Sequence, residues 1–429
     1  MIAVSSPAMR IEIICTGDEV LTGKIVNSNF SRISQKLEDF GLAVRWGTTV
    51  GDDRETLLDA FRQAGERADA VIVNGGLGPT VDDLSQEIAA KAAGVDLVLN
   101  EEWLARMKAY FEKRSRQMPP NNVKQAMLPR GAEVLDNPIG TACGFAVDIG
   151  KARFFFTPGV PRELIRMLDE QIVPRLLERS GIKAVIRLKR FHSYGIGESR
   201  ADGMLEGIEK LAADGSVKLG FRAHYPQLET KLTVRGSDAA DVERKLAPVA
   251  AEVRRKLGNF ILAEDDELLE TVVRDALAAE RATLAVVETF TGGQIAARLA
   301  PLPGAEKVFR SGLVMRDRGR LLTALGLGPA AAEVSPEEAE TAARAALRQS
   351  GASHALAALI EIDEGPDRID FGATICIGIA TETASAQRRA RIVGGRDWVR
   401  LGAVEMSLDC LRRFLKGLPV TERIDFEKV

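Results

Sequence analysis

Histidine is nearly missing from this chain of 429 residues: there are three, His192, His224 and His354, too dispersed for a histidine-rich metal cluster. Cysteine is almost as scarce. Cys15, Cys143, Cys376 and Cys410 show no C-x-x-C spacing, which excludes a disulfide framework and a thiolate zinc site and fits a reducing cytoplasm. No apolar run approaches the ~20 residues of a membrane span. Residues 1–10 lack the apolar core of a signal peptide, so neither a membrane partner nor a leader is expected. A formal net charge of −3 supplies no basic field for nucleic acid.

What is present is the composition of a soluble globular protein, 45% hydrophobic and 28% charged. The length implies roughly two to four domains. Residues 10 to 178 alternate short apolar runs with helical patterns, the signature of a doubly wound α/β domain. The reading places strands at Ile11–Cys15, Ala43–Thr49 and Val71–Asn74 and helices at Asn27–Phe40 and Arg54–Glu66. Residues 179 to 262 read as a small α+β domain, with strands at 184–193 and Lys231–Val234 and helices at Ser199–Leu211 and Asp241–Leu257. After the acidic break at 263–267 a third, α/β domain runs to residue 429, with a helix at Leu268–Glu280, a strand at Thr283–Val287 and a last helix at Val404–Leu415.

The most informative stretch is Asn74-Gly75-Gly76-Leu77-Gly78-Pro79-Thr80-Val81-Asp82-Asp83, which follows an apolar strand. Glycines there let main-chain N–H groups approach an anion, and a following helix N-terminus favours negative charge. Carboxylates beside a phosphate make sense if a divalent cation bridges them. The plainer alternative is a capping box, because Thr80 and Asp83 have its spacing.

Thr16-Gly17-Asp18-Glu19 repeats the pattern at the end of the first strand, with the same capping alternative for Thr16 and Glu19. Both loops fall on the carboxyl edge of the sheet, where ligands sit in such folds. The Gly/Pro turns at Asn137–Ala142, with Gly140 and Thr141, and at Thr157–Glu163, with Pro158 and Gly159, are candidates for the same site or ordinary turns.

Together with Asn27, Asn29, Val50-Gly51-Asp52-Asp53 and Asn122-Val123-Lys124-Gln125-Ala126, these segments resemble the bacterial CinA (competence/damage-inducible protein) family. The N-terminal domain of that family is similar to molybdopterin-binding proteins. The resemblance implies a three-domain homodimer and a metal-dependent pyrophosphatase acting on ADP-ribose or related dinucleotides. In that reading Asp82, Asp83 and Asp18 are catalytic. Asp82, Asp83 and Glu19 hold Mg²⁺ or a similar cation, with a monovalent cation as a further candidate. Thr16, Gly17, Gly75, Gly76, Gly78, Thr80, Asn122, Lys124, Gly140, Thr141, Pro158 and Gly159 bind the nucleotide; for Lys124 the alternative is a solvated surface lysine.

The third domain is similar to the family's nicotinamide mononucleotide deamidase, with departures. Family members carry Glu-Ser-Cys-Thr-Gly-Gly where this chain has Glu288-Thr289-Phe290-Thr291-Gly292-Gly293. A family tyrosine is replaced by Arg316 and a family lysine by Leu321. The family's Thr-Gly-Ile-Ala-Gly-Pro segment is replaced by Ile360–Pro366. A hydroxyl nucleophile needs a base or cation to ease its deprotonation and donors for the oxyanion. Leucine supplies neither, and arginine is a poor base. The expectation is therefore a folded but silent deamidase domain, with Gly292, Gly293, Gly394, Arg396 and Arg400 retained as scaffold. A nucleotide- or pterin-binding protein without catalysis, or residual deamidation through Thr289 aided by Arg316 or Arg318, are the alternatives.

Overall fold

Strands that are apolar on both faces belong inside a covered parallel sheet, and Ala70–Asn74 is buried along its whole length. The computed structural model describes residues 9–181, 185–212, 214–363 and 371–428. The chain divides into two compact units, Met1–Ile186 and Arg187–Val429.

The first unit holds a six-stranded sheet in the order Val44–Val50, Ile11–Thr16, Ala70–Asn74, Ala152–Thr157, Gly144–Ile149, Glu133–Leu135. The first four strands are parallel, the fifth is antiparallel to the fourth, and the sixth is antiparallel to the fifth. One face is covered by a core that includes Leu57, Phe61, Ile88 and Trp103, the other by Ile33, Leu37, Leu164 and Leu176. This is a doubly wound α/β arrangement. Because the first strand lies between the second and third, the chain switches direction beside Ile11–Thr16, and a crevice opens at the carboxyl edge there.

The second unit begins with a four-stranded sheet in the order Val217–His224, Gln227–Gly236, Val185–Tyr194, Ile261–Glu264. Its apolar face packs on the helix Ala239–Leu257 through Leu232, Val234, Val249 and Val253. The strand Val217–His224 escapes a sequence reading, because Lys218, Arg222 and His224 break any clean apolar alternation. The helix expected over Ser199–Leu211 ends at Met204 and resumes as a 3-10 turn at Ile208–Leu211, since Gly207 adopts φ 77° between them.

A mixed six-stranded sheet follows, ordered Phe309–Val314, Leu284–Glu288, His354–Asp363, Gly372–Ala380, Ser385–Val393, Glu427–Lys428. Its first strand again lies between the second and third, both parallel to it. Apolar clusters cover both faces. The last helix starts at Arg396, eight residues before the expected Val404. It is buried nearly all round, so it lacks the polar face by which an amphipathic helix is recognised. Among the described residues no helix is long and apolar enough to cross a membrane.

Candidate functional site

Two places at carboxyl edges of sheets collect the residues singled out by the sequence. The first is a cleft of about 560 Å³ in the N-terminal unit. Thr16, Gly17, Glu19, Gly75, Gly76, Gly78, Asp82, Asp83, Thr141, Pro158 and Gly159 line it, joined by Asp52, Asn74 and Glu163.

The glycine turn is held open from below. Gly75 has φ 114°, and a Cβ there would lie 2.6 Å from Thr16 Oγ1, so no other residue fits without moving the floor. Thr16 Oγ1 is buried and has no hydrogen-bond partner among the described residues. A buried hydroxyl without a partner beside a cleft is a polar group kept for something that enters. Asn74 donates to the Pro158 carbonyl at 2.8 Å, and Asn29 donates to Asn74 Oδ1 at 2.9 Å and to the Gly159 carbonyl at 2.7 Å. This amide network locks the 75–78 and 158–159 turns together.

The carboxylates are less free than the sequence implies. Asp83 accepts from Thr80 N at 2.8 Å and from the Thr80 hydroxyl, closing its own turn. The helix that follows begins at Ser85 with no side-chain cap, so the Thr80–Asp83 pair latches a loop instead of capping a helix. Thr16 and Glu19 form no capping box either: the short helix Asp18–Leu21 has no side-chain cap. Asp18 Oδ1 accepts from Asp52 N, and Asp52 Oδ2 accepts from Asp18 N, each at 3.1 Å. Among the described residues no group of three carboxylate, histidine or cysteine side chains converges to hold a metal ion. The expected divalent cation thus has no ready-made cage.

Asn122 and Lys124 stand behind the glycine loop. Asn122 donates to Gln125 at 2.9 Å, Gln125 donates to the Leu77 carbonyl at 3.2 Å, and Lys124 donates to the Thr80 carbonyl at 2.5 Å. Gly140 N donates to Asn137 Oδ1 at 3.2 Å, while Asn137 Nδ2 reaches Glu163 at 2.7 Å. Of these, Gln125 and Glu163 line the cleft, and Asn122, Lys124, Asn137 and Gly140 brace it from behind. Burial pushes the Cys15 and Cys143 thiols up, so neither offers a thiolate.

Asp52 belongs to a segment that carries the family resemblance but was given no role at the site, although like Asp18 it follows a glycine at a strand end. Partial burial pushes its carboxyl above the ordinary range, and the charges of Asp18, Glu19 and Asp82 push the same way against the bond from Asp18 N. A carboxyl whose folded pKa exceeds its unfolded one holds its proton more tightly when folded. Ionised Asp52 therefore subtracts from stability at neutral pH, and that loss fades as pH falls through the folded pKa and vanishes below the unfolded value. Asp52→Asn is expected to stabilise the N-terminal unit slightly at pH 7, by only ~0.5 kcal/mol because water screens these charges, and so to raise its melting temperature. Melts at pH 7 and pH 3 check this: the gain should be absent at the lower pH, and an equal gain at both would refute it.

The second place is the turn after the strand Leu284–Glu288. Glu288 is fully buried and its carboxylate accepts from the Thr291 hydroxyl at 2.5 Å, Ile295 N at 3.1 Å and Ala296 N at 2.9 Å. Thr289 is also buried, and its Oγ1 accepts from Ile360 N at 2.7 Å. Phe290 adopts φ 64°, and Gly292 and Gly293 adopt 70° and 84°. The N–H groups of Gly292 and Gly293 meet no acceptor among the described residues. Leu321 is fully buried in an apolar cluster, so no cation stands in for the family lysine there. Arg318 is engaged by Glu338 at 2.8 Å and the Ala331 carbonyl at 2.7 Å. Arg316 lies over the Phe290 ring, 5.2 Å from its centroid. The replaced segment 364–366 lies outside the described residues.

Comparison with known proteins gives three family matches along the chain. Residues 12–178 match the model described as probable molybdopterin binding domain, 188–263 that of the damage-inducible protein CinA KH domain, and 266–415 that of the CinA C-terminal domain. A CinA-like protein of Shewanella sp. (strain MR-4) is 36% identical over 415 residues, 95% of this chain and 96% of the relative. A protein of Shewanella oneidensis named nicotinamide-nucleotide amidohydrolase PncC is 35% identical over 429 residues, 98% of this chain and 99% of the relative. The crystal structure of CinA from Thermoplasma acidophilum, described as of unknown function, is 36% identical and covers 41% of this chain and 98% of its own, with a TM-score of 0.36.

These findings correct the functional expectation. An ADP-ribose pyrophosphatase was expected at the N-terminal domain and a silent deamidase at the C-terminal one. A relative aligned over 98% of the chain is instead named for amide hydrolysis. Of the N-terminal carboxylates that motivated diphosphate cleavage, Asp83 and Asp18 are engaged as turn latches, by Thr80 and Asp52, while Asp82 and Glu19 line the cleft.

Proposed function

Because the chain belongs to the CinA family, we propose that it hydrolyses the carboxamide of a nicotinamide nucleotide at the turn after Glu288. The observation that carries this reading is the relative with an amidohydrolase name, 35% identical over 98% of the chain. Local geometry supports it. Thr289 stands at the carboxyl end of a strand flanked on both sides by parallel neighbours, where open α/β sheets hold ligands. In the reaction its Oγ1 bonds to the carboxamide carbon, the amide nitrogen leaves as ammonia with the hydroxyl proton, and water then frees the acid and restores the hydroxyl. The N–H groups of Gly292 and Gly293 are the donors for the developing oxyanion.

Two features make the reaction slow in this reading. Thr289 is buried, so the turn must lift for attack, and Leu321 leaves the hydroxyl without a cation to ease its deprotonation. The N-terminal cleft takes a phosphate-bearing small molecule of the pterin or nucleotide class, a role supported by the unpartnered Thr16 hydroxyl and the open glycine turn. The deciding experiment incubates the purified full-length chain with nicotinamide mononucleotide and follows ammonia with a coupled assay. Release in proportion to protein is expected. A trace that stays at the protein-free blank overturns the reading.

A further inference from the structure

Two positions at which this chain departs from the family pattern, Phe290 and Arg316, are neighbours in space: the guanidinium lies 5.2 Å from the ring centroid. We propose that Arg316, placed over the Phe290 ring, receives the anionic end of the substrate, a phosphate monoester, at the C-terminal turn. The inference deepens the amide-hydrolysis reading and rests on it for the identity of the substrate.

The placement is built by the sheet. Arg316 follows the strand Phe309–Val314, and Met315 N donates to the Glu288 carbonyl at 3.2 Å, so the strand end and the Glu288–Gly293 turn are fastened side by side. Phe290 occupies the left-handed region at φ 64°, a conformation costly for a bulky residue and kept only where its surroundings demand it. Among the described residues Arg316 has no carboxylate partner, in contrast to Arg318 two positions on, which is engaged by Glu338. A planar guanidinium resting on an aromatic face keeps its N–H edge free, and that edge matches two phosphate oxygens at once. The family's cysteine at 290 would lose the face and its tyrosine at 316 would lose the charge; this chain departs at both positions together.

The test is calorimetric binding to the full-length chain, with nicotinamide mononucleotide, nicotinamide riboside and inorganic phosphate as separate probes. The mononucleotide is expected to bind about tenfold or more tightly than the riboside. Arg316→Gln should bring the two within about twofold, and Phe290→Leu should narrow the gap in the same direction while the melting temperature stays near that of the parent. Inorganic phosphate should compete with the mononucleotide in the parent and not in Arg316→Gln. An unchanged preference in Arg316→Gln, or a riboside that binds as well as the mononucleotide, overturns the proposal. Ammonia is read separately: Arg316-dependent binding with no ammonia release would leave this proposal standing and remove the amide-hydrolysis reading.

Discussion

Replacing Arg413 by alanine is expected to destabilise the C-terminal unit by about 3–5 kcal/mol, the cost of taking one member out of a buried ion-pair cluster. Arg413 is fully buried, with Nε 2.8 Å from Asp409 and Nη1 and Nη2 each 3.2 Å from the carbonyls of Pro419 and Asn259 respectively. It also pairs with Glu422. Burial works against its charge, yet Asp409 and Glu422 outweigh it, and the guanidinium stays more firmly protonated than in water. Removing it leaves Asp409, itself 1% exposed, with Arg412 as its remaining partner 2.7 Å away, and frees the segment that carries Glu422. Urea unfolding of the full chain, followed by a probe in this unit, measures the loss. Adding Asp409→Leu should deepen it, because the buried Arg412 then loses its carboxylate as well. A loss under about 1 kcal/mol would show that Arg413 is solvated in solution.

Thr289→Ala is expected to remove ammonia release from nicotinamide mononucleotide to the blank, a loss of about 10³-fold or ~4 kcal/mol of transition-state stabilisation. The same change leaves the buried Ile360 N–H without its acceptor, now 2.7 Å away, so part of any effect would be structural, of order 1–3 kcal/mol. Thr289→Ser separates the two. It keeps the acceptor and the nucleophile and removes the methyl group that crowds the approach, so its rate should equal or exceed that of the parent. Undiminished release from Thr289→Ala, with the protein folded, would move the nucleophile elsewhere; a silent Thr289→Ser in a folded protein would do the same.

The fold class and the family were legible in the sequence, and for related reasons. Apolar runs ending in Gly17 and Gly75–Gly78 mark strand ends that must come close to something, since only glycine tolerates φ 135° at Gly17 or 114° at Gly75. The strands Ile11–Thr16 and Ala70–Asn74 lie within one residue of their expected bounds because continuous apolar stretches leave little choice. Less was legible at the helix Arg396–Leu415, where Arg412 and Arg413 are buried beside Asp409 and the expected start fell eight residues late. A one-dimensional pattern records that a residue is charged, and burial of that charge is visible only once the elements packed around its helix are placed.

What the sequence by itself determined is the set of strand-end turns and the polar groups within them: Thr16 to Glu19, Gly75 to Asp83 and Glu288 to Gly293 are local, set by glycine conformations and short-range spacing. The tertiary structure decided which of those groups are free. It tied Asp83 to Thr80 and Asp18 to Asp52, turned Lys124 onto a carbonyl of the loop, left the Thr16 hydroxyl unpartnered, and set Arg316 over Phe290. Availability depends on pairing across the fold, 34 residues apart for Asp18 and Asp52 and 44 for Lys124 and Thr80, and such pairings leave no periodicity for a sequence to display.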